Sequence, residues 1–136
     1  MVAKMDISDE EWQKKLTPEQ YKVLREKGTE APYSGKLLNN KDTGEYTCAA
    51  CGTVLFTSKD KYDSDEPGLA GWPSFAEAAN NKLVSLVPDD SHGMHRTEVI
   101  CNTCGSHLGH LFDDPSSPSG QHYCINSAAL EFLPKK

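Results

Sequence analysis

The sequence predicts a mostly antiparallel β domain behind two short helices, stapled by one metal ion. Three observations carry that prediction. Short runs rich in β-branched and aromatic residues recur from Gly35 onward, each bounded by turn residues. Two helix-start signals stand ahead of them, and the helical period does not return for long afterwards. Two C-x-x-C pairs, Cys48/Cys51 and Cys101/Cys104, each follow a strand-like run and each precede a glycine.

Ser8-Asp9-Glu10-Glu11 reads as a capping box with Ser8 as N-cap, followed by Trp12 and Leu16 as apolar anchors. Thr17-Pro18-Glu19-Gln20 repeats the signal with proline at the first helical position. Tyr21 and Leu24 share a face of this second helix, and Gly28 ends it. Strands are expected at Tyr46–Cys48, Val54–Thr57, Leu83–Val87, Thr97–Ile100 and Leu130–Leu133, and around Cys124. Pro73–Ala79 is read as one short helix, and Asp113–Gly120 as a polar loop. At 136 residues the chain is expected to form one domain, with 1–34 a helical preface and 35–136 the metal-stapled β part.

Composition excludes several classes. The net charge of −6 and pI near 5.3 speak against nucleic-acid binding, which draws most of its affinity from neutralised phosphates. No run of about 18 apolar residues exists for a bilayer, and the first residues turn acidic without an apolar signal region. The expectation is a cytoplasmic protein, where paired cysteines favour metal over disulfides.

Two knuckles supply four soft ligands, so one structural zinc is expected on Cys48, Cys51, Cys101 and Cys104. Redox-active dithiols, or four cysteines buried as small hydrophobes, are the plainer alternatives. The division leaves Cys124 as a candidate nucleophile. Taken alone, a cysteine in a half-apolar strand is more often a packed core residue. Its neighbours move the balance: His107 and His110 lie three residues apart, Asp114 follows, and His122 precedes the thiol by two on the same side of a strand. An imidazole near a thiol lowers its pKa and supplies a proton at neutral pH. A histidine pair is equally a metal site or plain surface, and the spacing alone does not choose.

Gly71-Trp72-Pro73-Ser74-Phe75, Arg96-Thr97-Glu98-Val99, Ser106-His107-Leu108-Gly109-His110-Leu111-Phe112 and Tyr123-Cys124-Ile125-Asn126-Ser127 occur in that order. With Gly28-Thr29-Glu30, Pro32 and Gly35, the chain resembles the B-type methionine sulfoxide reductases from about Trp12 to Leu133. The resemblance implies a sandwich-like fold of two antiparallel sheets with the same four-cysteine zinc site. It also implies reduction of methionine-R-sulfoxide in proteins, by attack of Cys124 and a sulfenic acid intermediate. His110 and His107 then match the imidazole pair near the substrate oxygen, with Asp114 orienting one of them. Asn126 matches a hydrogen-bond donor near the substrate, and Trp72 the indole packed against its S-methyl group.

Two departures from the family pattern stand out. Arginine usually precedes the nucleophile by two residues, where this chain has His122, so thiolate stabilisation should be weaker or more pH-dependent. A resolving cysteine often lies just before Gly-Trp-Pro, where this chain has a longer Asp63–Ala70 stretch without a thiol; a second such position falls at Ser34. A monomer recycled by thioredoxin or another external thiol is therefore expected. The competing reading is a zinc-stabilised binding module, which needs the knuckles but not Cys124, Trp72 or the histidines.

Overall fold

The computed structural model describes residues 9–26, 28–31, 33–62, 71–90, 96–114, 117 and 119–134. Ser8, Pro32 and the Asp63–Ala70 stretch lie outside the described residues. Helix α1 (Asp9–Lys15) buries Trp12, and Leu16 is buried just past its end. Helix α2 (Pro18–Glu26) opens on a reciprocal capping box. The Gln20 amide donates to Thr17 Oγ1 at 3.1 Å while the Thr17 amide donates to Gln20 Oε1 at 3.0 Å. Val23 and Leu24 are its buried face, and the Gly28 amide returns to the Lys22 carbonyl at 2.8 Å just beyond its end.

Among the described residues, nine strands form two antiparallel sheets. β1 (Gly44–Cys48), β2 (Val54–Thr57) and β9 (Leu130–Pro134) make a three-stranded sheet in the order β2-β1-β9. β3 (Lys61–Tyr62), β4 (Ser74–Phe75), β5 (Val84–Asp89), β6 (Arg96–Cys101), β7 (His107–Asp113) and β8 (Gln121–Ile125) make a six-stranded sheet ordered β3-β4-β8-β7-β6-β5. Aromatic rings join the two. Phe56 of the small sheet stacks on Phe75 of the large one at 4.4 Å between centroids, and Tyr46 meets Phe75 edge-on at 5.1 Å.

Pro73–Ala79 is not a helix. Ser74 and Phe75 form β4, pairing with Cys124 and Tyr123 of β8, because Phe75 gains more from the aromatic core than from a lone helical turn. The Ala76 amide then closes on the Asp60 carbonyl at 2.7 Å.

One irregularity matters for the site. In β6–β7 the register runs Glu98↔His110 and Val99↔Gly109, then jumps to Ile100↔His107, so Leu108 is the extra residue of a β-bulge. Residues three apart on a regular strand face opposite sides. The bulge inverts that parity, and His107, His110 and Glu98 come to one face.

Candidate active site and metal centre

The two knuckles are near copies. In each, the glycine amide returns to the first cysteine's carbonyl at 2.8 Å, Gly52 to Cys48 and Gly105 to Cys101. Both glycines have positive φ, 81° and 78°, a conformation that side chains resist. The turns bring Cys48 Sγ to 3.7 Å from Cys104 Sγ and Cys51 Sγ to 3.6 Å from Cys101 Sγ. All four sulfurs lie within 4.8 Å of one another. A tetrahedral ion with metal–sulfur bonds of about 2.3 Å needs sulfurs about 3.8 Å apart, whereas a disulfide needs about 2.05 Å. The cluster fits one metal ion. Thr53 Oγ1 and Ser106 Oγ each lie 3.1 Å from a cluster sulfur, Cys51 and Cys104 respectively. Arg25 packs 5.0 Å over the Trp12 ring and donates to the Cys104 carbonyl at 3.1 Å and Ser106 Oγ at 3.2 Å. That contact ties both helices to the second knuckle.

β7 begins three residues after Cys104 and carries the imidazole pair. The His107 and His110 rings meet edge-on at 5.4 Å. Each is held by a carboxylate: His107 Nδ1 lies 2.7 Å from Glu98 Oε2, and His110 Nε2 lies 2.7 Å from Asp89 Oδ2. Arg96 Nη2 sits 3.5 Å from the same Asp89 oxygen. His110 pairs across the sheet with Cys124, which pairs in turn with Ser74. Gly109 lets β7 and β8 approach, since a Cβ there would lie 2.1 Å from the Cys124 carbonyl oxygen.

Cys124, His110, Trp72 and Asn126 line one cleft of about 90 Å³ together with Thr29, Arg96, Gly109 and Phe112. The indole of Trp72 donates to the Glu30 carbonyl at 3.0 Å. Asn126 is a clamp as well as a lining residue. Its Nδ2 donates to the Leu108 carbonyl at 3.0 Å and its Oδ1 accepts from the Glu30 amide at 3.0 Å, which leaves one amide hydrogen for the cleft.

Two sequence expectations are corrected. Asp114 does not serve the histidine pair: its Oδ2 accepts from Tyr62 Oη at 2.9 Å and lies 3.3 Å from His122 Nδ1. The carboxylates on His107 and His110 are Glu98 and Asp89, and the sequence reading assigned neither a role. Glu98 stands in Arg96-Thr97-Glu98-Val99, where a carboxylate inside an apolar strand is a usable signal. Asp89 ends β5 with no local signal. The second correction concerns the thiol. His122 shares the Cys124 side of β8 as expected, but it is fully buried against Asp114 and Tyr62. Burial, then the charge of Glu30, push the Cys124 thiol up to about 12. The net effect of the surroundings is opposite to the lowering expected from histidine alone.

The SelR domain model matches residues 16–134. A peptide methionine sulfoxide reductase MsrB of Leptospira interrogans is 54% identical over 125 residues, 92% of each chain. The MsrB of Methanosarcina barkeri is 55% identical over 94% of this chain and 87% of its own length. Methionine-R-sulfoxide reductase B3, mitochondrial, of Mus musculus is 47% identical over 96% of this chain and 50% of its own length.

Proposed function

The chain belongs to the SelR-domain family of peptide methionine sulfoxide reductases, oxidoreductases that act on methionine sulfoxide, and from that premise we propose thiol-dependent repair of the R epimer in oxidised proteins. The observation that carries the finer reading is the convergence of Cys124, His110, Trp72 and Asn126 on one cleft.

In this reading the Cys124 sulfur attacks the sulfoxide sulfur. A sulfur–sulfur bond forms as the sulfoxide oxygen, once protonated, leaves as water. Water then attacks the Cys124 sulfur, and the new bond breaks with its electron pair going to the methionine sulfur. Cys124 is left as a sulfenic acid while methionine leaves reduced by two electrons. The departing oxygen needs a proton. His110, held by Asp89 at 2.7 Å, is assigned to deliver it or to position the water that does, with His107 packed against it. A thiol pushed up to about 12 keeps its proton at neutral pH, so proton removal has to accompany substrate binding. Trp72 supplies an apolar wall for the S-methyl group, and the remaining Asn126 hydrogen faces the cleft. His122 and Asp114, with Tyr62, are assigned the tuning of Cys124 from beneath.

The metal is assigned as one zinc ion on Cys48, Cys51, Cys101 and Cys104. Four thiolates suit zinc and leave it no open position, so it stabilises the fold and takes no part in the chemistry. A reduced cluster of this kind agrees with a cytoplasmic protein, and the chain is assigned as a monomer. The chain has five cysteines, four of them in the cluster, so an external dithiol such as thioredoxin is assigned the reduction of the sulfenic acid.

Turnover of a peptide carrying methionine-R-sulfoxide, with dithiothreitol or thioredoxin, tests the reading. Wild type is expected to be active, and Cys124→Ser inert at unchanged zinc content. Equal turnover by both proteins would remove Cys124 from the mechanism. Inactivity of wild type with every reductant would favour a binding module.

A further inference from the structure

Glu30 belongs to the Gly28-Thr29-Glu30 stretch, to which the mechanism above gives no task. It is only 8% exposed, and it touches three parts of the cleft. Its carbonyl accepts from the Trp72 indole at 3.0 Å, and its amide donates to Asn126 Oδ1 at 3.0 Å. Its Oε1 accepts from the Ala128 amide at 2.8 Å, in the turn that follows the nucleophile strand. The other oxygen, Oε2, is buried without a hydrogen-bond partner among the described residues. Gly35 closes over it, since a Cβ there would lie 2.5 Å from Oε2 and 2.3 Å from Ser127 Cβ. A half-satisfied buried carboxylate is costly, and a neutral side chain of similar shape would fill the space without that cost.

We propose that Glu30 is the positioning residue of the cleft, fixing Trp72 and Asn126 relative to Cys124 through contacts to three separate segments and setting the charge that the thiol meets. The inference rests on the reading of the cleft as a sulfoxide site. The main-chain contacts hold the indole and the Asn126 amide, while the Oε1 contact holds the loop itself in place. The charge acts independently. Around Cys124 stand His110 on β7, His122 on β8, Tyr62 on β3 and Arg96 on β6. The carboxylates of Asp89, Glu98 and Asp114 each lie against an imidazole. Burial pushes the Glu30 carboxyl up from its ordinary range and main-chain amides oppose that push, while its charged form raises the pKa of Cys124.

Glu30→Gln and Glu30→Ala test this with two readouts. The first is iodoacetamide alkylation of Cys124 at pH 8 in the zinc-loaded protein without sulfoxide. Glu30→Gln keeps the shape and an acceptor for Ala128 but removes the charge. Its thiol pKa is expected to fall, since the negative charge that disfavours the thiolate is gone. The larger thiolate fraction outweighs the weaker nucleophile, and alkylation is expected to run about threefold faster. The second readout is KM and kcat on a methionine-R-sulfoxide peptide. Glu30→Ala is expected to raise KM about tenfold or more, and Glu30→Gln to leave it within about twofold of wild type, since a displaced wall and amide weaken binding. Unchanged alkylation in Glu30→Gln would overturn the charge role, and a wild-type KM in folded Glu30→Ala would overturn the positioning role. If Glu30→Ala does not fold, a raised KM in Glu30→Gln overturns the positioning role instead. A wild type without sulfoxide turnover would sink the functional reading, while the alkylation rates still decide whether Glu30 acts on the thiol.

Discussion

Gly109→Ala asks whether the approach of β7 to β8 places the nucleophile. The substitution adds one methyl group between His107 and His110. Its carbon would lie 2.1 Å from the Cys124 carbonyl oxygen, and 3.0 Å from Cys124 C and Ile125 Cα. Restoring a 3.0 Å contact to that oxygen moves β8 outward by about 0.9 Å. Gly109 is not among the positive-φ glycines, so the whole effect is steric. Two terms set the stability change. Replacing glycine reduces the freedom of the unfolded chain, worth about 0.4–1 kcal/mol in favour of folding. Overpacking costs about 1–3 kcal/mol. The net expectation is a loss of about 1 kcal/mol, which a domain of this size survives. Turnover should suffer more, because a misplacement near 1 Å at reacting groups costs about 10²-fold. The assay is kcat/KM on a methionine-R-sulfoxide peptide, beside zinc content and Tm. A Gly109→Ala protein within threefold of wild type in kcat/KM would refute the claim that this contact sets the position of Cys124.

Other expectations follow from the same geometry. Cys101→Ser, or a strong chelator, should remove the metal and the cooperative fold together, because structural zinc contributes about 10 kcal/mol or more against a domain stability of about 5–15; a native Tm after metal loss would contradict the structural role. His122→Arg should lower the Cys124 pKa from its raised value, since a permanent positive charge favours the thiolate, and alkylation at fixed pH should speed up. Superimposed pH profiles would show that His122 does not tune the thiol. Thr17→Ala should cost about 1 kcal/mol of stability in denaturant unfolding by opening the α2 capping box, with turnover unchanged.

What the sequence made legible were features with local periodicity or local chemistry. The α2 cap, the five strands expected by run and the two knuckles are each written in a few consecutive residues, and each stands where expected. β4 was not legible, because a two-residue strand gains its stability from Phe56 and Tyr123, far away in sequence. The bulge at Leu108 was equally hidden. H-x-x-H on an ordinary strand would divide its imidazoles between two faces, and only the β6–β7 register brings them together. The carboxylates followed the same rule. Glu98 and Asp89 reach the histidines through cross-strand neighbours, while Asp114, near them in sequence, turns to His122 and Tyr62.

Four sulfurs sit on two turns with edges suited to a tetrahedral ion, and no sixth cysteine exists in the chain. A sulfenic acid formed on Cys124 could take a second thiol internally only by dismantling the metal cluster. That exchange would sacrifice the staple on which β1, β2, β6 and β7 converge, at a cost close to the stability of the whole domain. One turnover without reductant should therefore leave the oxidation on Cys124. Dimedone added after a single equivalent of sulfoxide peptide should label Cys124 in mass spectra, with zinc retained at one per chain. A disulfide between Cys124 and a cluster cysteine, with zinc released in step, would show instead that the cluster resolves the intermediate, and the metal would then be a redox participant as well as a staple.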